Sequence, residues 1–311
     1  MRAATIRDGR IEVVDHPDPE PQDGQLLVRV RAAGLNGADM MQLAGHYPAP
    51  PGAPQDIPGL ELAGEVVSCG RRAGRFEPGD RVMAIVAGGG QAELAVVHER
   101  TAVPVPDELD WTAAGGVPEA FTTAHDALFT QAQLTLGERL LVHGAAGGVG
   151  MAAVQLGAMA GARVTATVRD PHAREQIAAL GVRAVAPGDV EGAYDVILEL
   201  VGAPNLAGNL AALATGGRIC VIGIGAGAQA ELNLGLLMAK RGRIHGSTLR
   251  NRPIEEKAIA ARLVERHVLP GFARGDLSVP VTAAFSLEEA PAAYERFKAG
   301  GKLGKIVLEM Q

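Results

Sequence analysis

The sequence predicts an α/β chain in two parts, a β-rich domain followed by a doubly wound parallel sheet. Three observations carry this prediction. Up to about residue 117, short apolar strand patterns are separated by turns of Gly, Pro and Asp. Beyond Trp111, strand and helix patterns alternate, which implies parallel strands with helices on both faces. In mid-chain, Leu140-Leu141-Val142-His143-Gly144-Ala145-Ala146-Gly147-Gly148-Val149-Gly150 runs from an apolar strand through a glycine turn into an alanine-rich helical stretch.

The elements follow in order. The first part has strands over 26–30, 61–67, 81–86 and 92–97, and a Pro/Gly-rich loop over 47–58. A helix is expected over 120–129. Strands over 139–143, 163–168, 195–200 and 218–223 then alternate with helices over 151–160, 172–180 and 205–214. A further strand is read at 243–246 and a helix at 254–265. The apolar tail 304–309 is a strand with no place in the parallel sheet, so it is expected to return to the first domain. The domains are therefore read as 1–117, completed by about 270–311, and 118–269.

A chain of 311 residues is long enough for two domains. Hydrophobic residues make up 47% and aromatics only 3%, so the core must rest on Ala, Val, Leu and Ile. A net charge of −6 with both signs interspersed offers no phosphate-neutralising surface, and no nucleic-acid partner is expected. Cys69 and Cys220 are too few for a disulfide framework or a cysteine zinc cluster, and a cytoplasmic location is expected. The first residues lack a signal-peptide core and no apolar run is long enough to span a bilayer, so no membrane partner is expected.

The glycine turn implies a dinucleotide. Gly147 and Gly148 let the backbone approach a pyrophosphate, and Gly150 lets the helix pack on its strand. The unpaired N–H groups at the helix start attract the anion, with Ala146 and Val149 completing the turn. The strand that follows ends at Val168-Arg169-Asp170. Asp170 sits near the spacing of about 20 residues at which an acid holds the ribose hydroxyls of NAD. Arg169 precedes it, and Arg174 follows on the next helix; arginines there pair with a 2′-phosphate. NADPH is the expected cofactor, with NADH left open by Asp170 and by a solvated Arg169.

These residues resemble the zinc-free quinone oxidoreductases of the medium-chain dehydrogenase/reductase superfamily, most of all the p53-inducible branch. The resemblance rests on Leu35-Asn36-Gly37-Ala38-Asp39-Met40-Met41-Gln42, Gly45-His46-Tyr47-Pro48, Gly59-Leu60-Glu61-Leu62-Ala63-Gly64 and Pro78-Gly79-Asp80-Arg81-Val82. It continues through Val117-Pro118-Glu119-Ala120-Phe121-Thr122-Thr123-Ala124, the glycine turn, Gly246-Ser247-Thr248-Leu249-Arg250 and Gly304-Lys305-Ile306-Val307-Leu308, and so spans essentially the whole chain. It implies a GroES-like β-domain joined to a Rossmann-type domain. A cleft between them would serve NADPH-dependent reduction of a small-molecule quinone or enone. It also implies a homodimer or homotetramer.

The resemblance also assigns the site. Zinc-dependent relatives carry Cys before the Asp of the first motif and Gly-His-Glu in the second. Here Asn36-Gly37-Ala38-Asp39 and Gly59-Leu60-Glu61 stand instead, so no metal is expected, and Glu61 reads as a structural carboxylate. Asn36 and Tyr47 are the catalytic candidates: the Asn36 amide as a donor to a carbonyl or to the cofactor, and the Tyr47 hydroxyl as a donor to the developing oxyanion. Asn36 also reads as a turn residue and Tyr47 as an apolar lid. Thr123 is expected at the nicotinamide, or else as a helix cap. Gly223 follows a parallel strand and borders the cofactor crevice. Leu249 and Arg250 are expected on the nicotinamide side, and Lys305 at the cofactor or as a solvated charge. His125 and His143 read as packed or solvated. Two other readings stand: reduction of enones or enoyl thioesters, with Tyr47 protonating the α-carbon, and a redox sensor that binds NADPH without turnover.

Overall fold

The computed structural model describes residues Met1–Met310, which divide into two units: Met1–Thr122 with Leu249 onwards, and Thr123–Thr248.

The first unit opens with β1 (Arg2–Arg7) and β2 (Arg10–Asp15), a hairpin whose turn, Asp8-Gly9, has both φ angles positive, at 48° and 73°. An Asp-Gly pair tolerates that conformation, and its twist matches the strands it joins. There follow β3 (Gln25–Gly34), α1 (Gly37–Leu43), β4 (Glu61–Cys69), β5 (Arg81–Ile85), β6 (Leu94–His98), β7 (Ala102–Pro104), α2 (Trp111–Ala114) and α3 (Pro118–His125). The segment 47–58 is loop, as its composition implied. Alternate residues of the strands, among them Leu26, Val28, Val30, Leu62 and Val82, fill a buried aliphatic core. The expected helix over 120–129 begins two residues early, where Pro118 suits the first helical turn. It changes after His125 into a π-helical segment, Asp126–Gln131.

The second unit holds β8 (Arg139–Val142), α4 (Gly148–Met159), β9 (Arg163–Thr167), α5 (Pro171–Ala178), β10 (Arg183–Val185), β11 (Tyr194–Glu199), α6 (Leu206–Ala212), β12 (Leu213–Val221), α7 (Leu234–Lys240) and β13 (Arg243–Gly246). All six strands are parallel, in the order β10-β9-β8-β11-β12-β13. Numbered from β8, this is 3-2-1-4-5-6, the doubly wound order in which ligands bind where the winding reverses, here between β8 and β11. At the opposite ends of these strands the buried Arg218 is held by Glu138 through two bonds of 2.6 and 2.7 Å and by the carbonyls of Ala132 and Gln133.

The chain then returns to the first unit through α8 (Ile254–His267), α9 (Leu269–Ala273), β14 (Val281–Ser286), α10 (Ala290–Lys298) and β15 (Lys305–Glu309). β15 pairs antiparallel with β3 and parallel with β14, so the tail completes the β-rich sheet as expected. Residues 249–269 were read with the nucleotide domain but cluster with the first unit. Arg262 donates to the Ala102 carbonyl at 2.6 Å, Glu265 accepts two bonds from Arg75, and Phe272 packs edge-on against Phe121.

Candidate active site

In the second unit the glycine turn lies at the C-terminal end of β8, on the switch point of the winding. A Cβ on Gly150 would lie 2.5 Å from the Gly144 carbonyl oxygen and 2.6 Å from the Ala145 Cα, so only glycine lets α4 sit this close to the turn. Gly147 occupies the N-cap of α4 and brings no side chain to satisfy the first-turn N–H groups. That leaves the donors and the positive end of a twelve-residue helix available to an anion, and the residues fit a dinucleotide pyrophosphate. Gly223 closes the neighbouring loop: a Cβ there would lie 2.3 Å from the Leu200 carbonyl oxygen.

Beneath these turns runs a buried polar chain. Thr167 bonds His143 Nδ1 at 3.1 Å, and His143 Nε2 lies 2.6 Å from Asn209 Oδ1. Asn209 Nδ2 donates to Glu199 at 2.6 Å, and Glu199 accepts the N–H groups of Val201 and Gly202 at 2.6 and 2.8 Å. The Asn209 amide faces Glu199 with its nitrogen, so its oxygen receives the His143 Nε2 proton and Thr167 serves Nδ1. Burial holds the His143 imidazole below its usual pKa. The chain ties the strand ends of β8, β9 and β11 to the loops that follow them. Its members lie up to 66 residues apart, with no spacing signal, and sequence reasoning missed all but the packing of His143.

At the end of β9, Arg169 is exposed and Arg174 is partly so. Asp170 caps α5, its Oδ1 accepting from Ala173 N at 2.8 Å, so the carboxylate read as a ribose ligand is used at the helix start.

In the first unit Asn36, Glu61 and Lys305 converge. Glu61 is fully buried and Lys305 is 3% exposed, and the ammonium contacts both Glu61 Oε1 and, at 2.8 Å, Asn36 Oδ1. Glu61 Oε1 also accepts from Asn36 Nδ2 at 2.8 Å, and Oε2 from the Glu119 N–H at 2.8 Å. The remaining Asn36 amide hydrogen goes to Gly34 O at 3.2 Å. Two expectations are corrected here. Lys305 is not a solvated charge, because β15 carries it into the core beside a carboxylate. Asn36 is not a free donor, because both its amide hydrogens are spoken for inside the unit. Its place at the N-cap of α1 explains the turn-like sequence. Asp39, fully buried, accepts from Asn36 N at 2.8 Å and Gly59 N at 3.1 Å, and burial pushes its carboxyl up to about 6.

Tyr47 begins the long loop and is half-buried, with its hydroxyl pKa raised by burial. Arg250 is 4% exposed, and its guanidinium donates to Tyr47 O at 2.9 Å, Ala87 O at 2.8 Å and Gln42 Oε1 at 2.6 Å. Leu249 lines an apolar pocket with Val103, Val117 and Ala261, at whose edge burial lowers the Lys257 ammonium pKa. Thr123 sits inside α3, past its first turn and 7% exposed, which removes the helix-cap reading.

Residues 22–107 match the family described as Alcohol dehydrogenase GroES-like domain, and residues 148–266 the family described as Zinc-binding dehydrogenase. Over 308 residues the chain is 33% identical to a quinone oxidoreductase of Mus musculus, covering 93% of this chain and 90% of the relative. The chain belongs to the quinone oxidoreductase family of medium-chain dehydrogenases/reductases. It is similar to a quinone oxidoreductase structure from Pseudomonas syringae pv. Tomato DC3000, with a TM-score of 0.86 and 26% identity over 99% of this chain and 100% of that one. It is also 34% identical, over 93% of its length, to 14% of a phenolphthiocerol/phthiocerol polyketide synthase polypeptide of Mycobacterium tuberculosis.

The family's architecture, a GroES-like domain with a Rossmann-like nicotinamide-cofactor domain, is thus the one the two units show. In this quinone oxidoreductase family member, Leu60 stands beside a Glu61 paired with Lys305, and of the two catalytic candidates Asn36 has its amide hydrogens engaged within the unit while Tyr47 is half-buried.

Proposed function

We propose that this chain is an NADPH-dependent quinone oxidoreductase that works without a metal ion. The observation that carries the reading is the pairing of Glu61 with Lys305. A buried ammonium takes the place of a cation at the one acidic side chain of the second motif, and Leu60 beside it has no donor atom. A site without a Lewis acid needs an acceptor that activates itself. A quinone does so, because the anion formed on reduction is delocalised.

NADPH supplies the hydride when bound. Gly147, Gly148, Val149 and Gly150 would hold its pyrophosphate through backbone N–H groups, with Ala146 and Gly223 shaping the turn. The exposed Arg169, with Arg174 behind it, would hold the 2′-phosphate, and Thr123 and Leu249 would serve the nicotinamide side. Tyr47 donates a hydrogen bond to the oxygen that gains charge. Asn36, held by Glu61 and Lys305, serves the first unit's buried polar cluster rather than donating to the acceptor. Cys69 and Cys220 remain free thiols, which suits a reducing cytoplasm.

A second reading, reduction of enones or enoyl thioesters with Tyr47 as the proton donor, is favoured by the likeness to part of a polyketide synthase. Steady-state oxidation of NADPH with ortho-quinones, para-quinones, enones and an enoyl thioester separates the two. Turnover with quinones well above that with enones supports the proposal; the reverse order selects the second reading. Tight NADPH binding with no acceptor raising the rate sinks both.

A further inference from the structure

The loop 47–58 has few regular hydrogen bonds of its own, yet Tyr47 is held by a residue 203 positions away in sequence. Arg250 reaches three separate stretches at once: the end of α1 through Gln42, the start of the loop through Tyr47, and the glycine-rich segment after β5 through Ala87. Gln42 extends the brace, donating to Gln55 O at 3.2 Å, and Gln55 donates to Pro50 O and Ala53 O at 3.0 and 2.8 Å. The guanidinium carbon also lies 5.0 Å from the centroid of the Tyr47 ring.

The three acceptors are two carbonyls and one amide oxygen, so this buried cation is held by neutral groups. Such an arrangement is costly, and burial accordingly lowers the Arg250 pKa. The charged groups that act on the pair are Asp39 and Glu119 for Arg250, and Glu119 for Tyr47. Lys257 feels both Glu119 and Arg250. A cation beside an aromatic ring that can become a phenolate favours the phenolate, and so strengthens the hydroxyl as a donor.

We propose that Arg250 is a positioning residue for Tyr47: its fork fixes the loop and ring so that the hydroxyl is aimed as a donor towards the oxygen on which negative charge develops. This rests on the oxidoreductase reading above. Lysine cannot replace it, because a single ammonium cannot span three acceptors in the geometry of a planar fork.

The test is a double-mutant cycle with a spectroscopic arm. Turnover of NADPH with a para-quinone is measured for the wild type, Arg250→Lys, Tyr47→Phe and the double variant. Arg250→Lys is expected to lower kcat by on the order of tenfold with a smaller change in KM, less than the roughly hundredfold cost of removing an oxyanion donor outright. In the Tyr47→Phe background the same substitution is expected to have no further effect on kcat. Additive losses, or a Tyr47→Phe variant with full kcat, overturn the proposal. The protein has three tyrosines, and Tyr194 and Tyr294 are buried, so ultraviolet titration of the wild type minus Tyr47→Phe isolates Tyr47. Its pKa is expected to rise in Arg250→Gln, and an unmoved titration overturns the proposal. Gln42→Met, which removes one acceptor and keeps the charge, is expected to lower kcat less than Arg250→Lys; an equal or greater loss places the effect in the loop and overturns the assignment to Arg250. A wild type whose NADPH oxidation is raised by no quinone or enone sinks the oxidoreductase reading, while the titration still decides the Arg250–Tyr47 coupling.

Discussion

Lys305, on the last strand, places its ammonium against the carboxylate of Glu61, on the fourth, and both side chains are removed from water. Removing one member of a buried pair leaves the other uncompensated, at a cost of about 3–5 kcal/mol. Lys305→Met is therefore expected to destabilise the first unit by that order. Lys305→Met with Glu61→Gln is expected to recover a large part of the loss, because Gln can still accept the Glu119 N–H. Urea denaturation of the three proteins checks this. A double variant no more stable than Lys305→Met would place the cost in packing instead.

Asp39 gives a dependence on pH with an unusual sign. Its carboxyl is raised in the folded state to about 6, above the ordinary 3.8, so the folded protein binds this proton more tightly than the unfolded chain. The contribution is fully present below the unfolded value and is lost as pH rises through the folded one. It amounts to about 3 kcal/mol between roughly pH 4 and pH 7. The unfolding free energy of the wild type minus that of Asp39→Asn is expected to fall by this order across the window. A difference that stays level or rises over the same range contradicts the assignment.

Gly150→Ala drives a methyl group into the backbone of Gly144 and Ala145. Overpacking of this kind costs about 1–3 kcal/mol. Thermal unfolding is expected to report that loss, and NADPH binding, followed by nicotinamide fluorescence, is expected to weaken with it, since the turn must open. Gly208→Ala is the control: a Cβ there meets nothing within 4 Å, and it should leave NADPH binding unchanged.

Arg169→Ala is expected to weaken NADPH binding while leaving NADH binding nearly as it was. A lost charge-assisted contact is worth about 1.5–3 kcal/mol, or roughly tenfold to a hundredfold in affinity. Isothermal titration with both cofactors decides it. An equal loss for both, or no loss, removes Arg169 from the 2′-phosphate.

Much of this was legible in the sequence for local reasons. The glycine turn announces itself because strand, turn and helix are contiguous, and Gly150 is needed by atoms only five and six residues away. The tail strand was legible because its apolar pattern had no partner in a parallel sheet. The roles of Asn36 and Lys305 were not, because 269 residues separate two groups that meet at 2.8 Å. Arg250 carried a motif but not a direction: nothing in Ser-Thr-Leu-Arg says that the guanidinium turns to Gln42 and Tyr47. The affiliation of α8 was hidden for the same reason, since Arg262 and Glu265 find their partners across the sequence in Ala102 and Arg75.

The central claim is metal-free reduction of a quinone by NADPH, and a single-turnover experiment tests it most directly. Protein stripped with a chelator and loaded with NADPH is mixed with excess para-quinone, and the absorbance of the reduced nicotinamide is followed. The account predicts stoichiometric loss of that absorbance, faster than in free solution and unchanged by added zinc. Loss no faster than in free solution, or loss that returns only when zinc is restored, would contradict it.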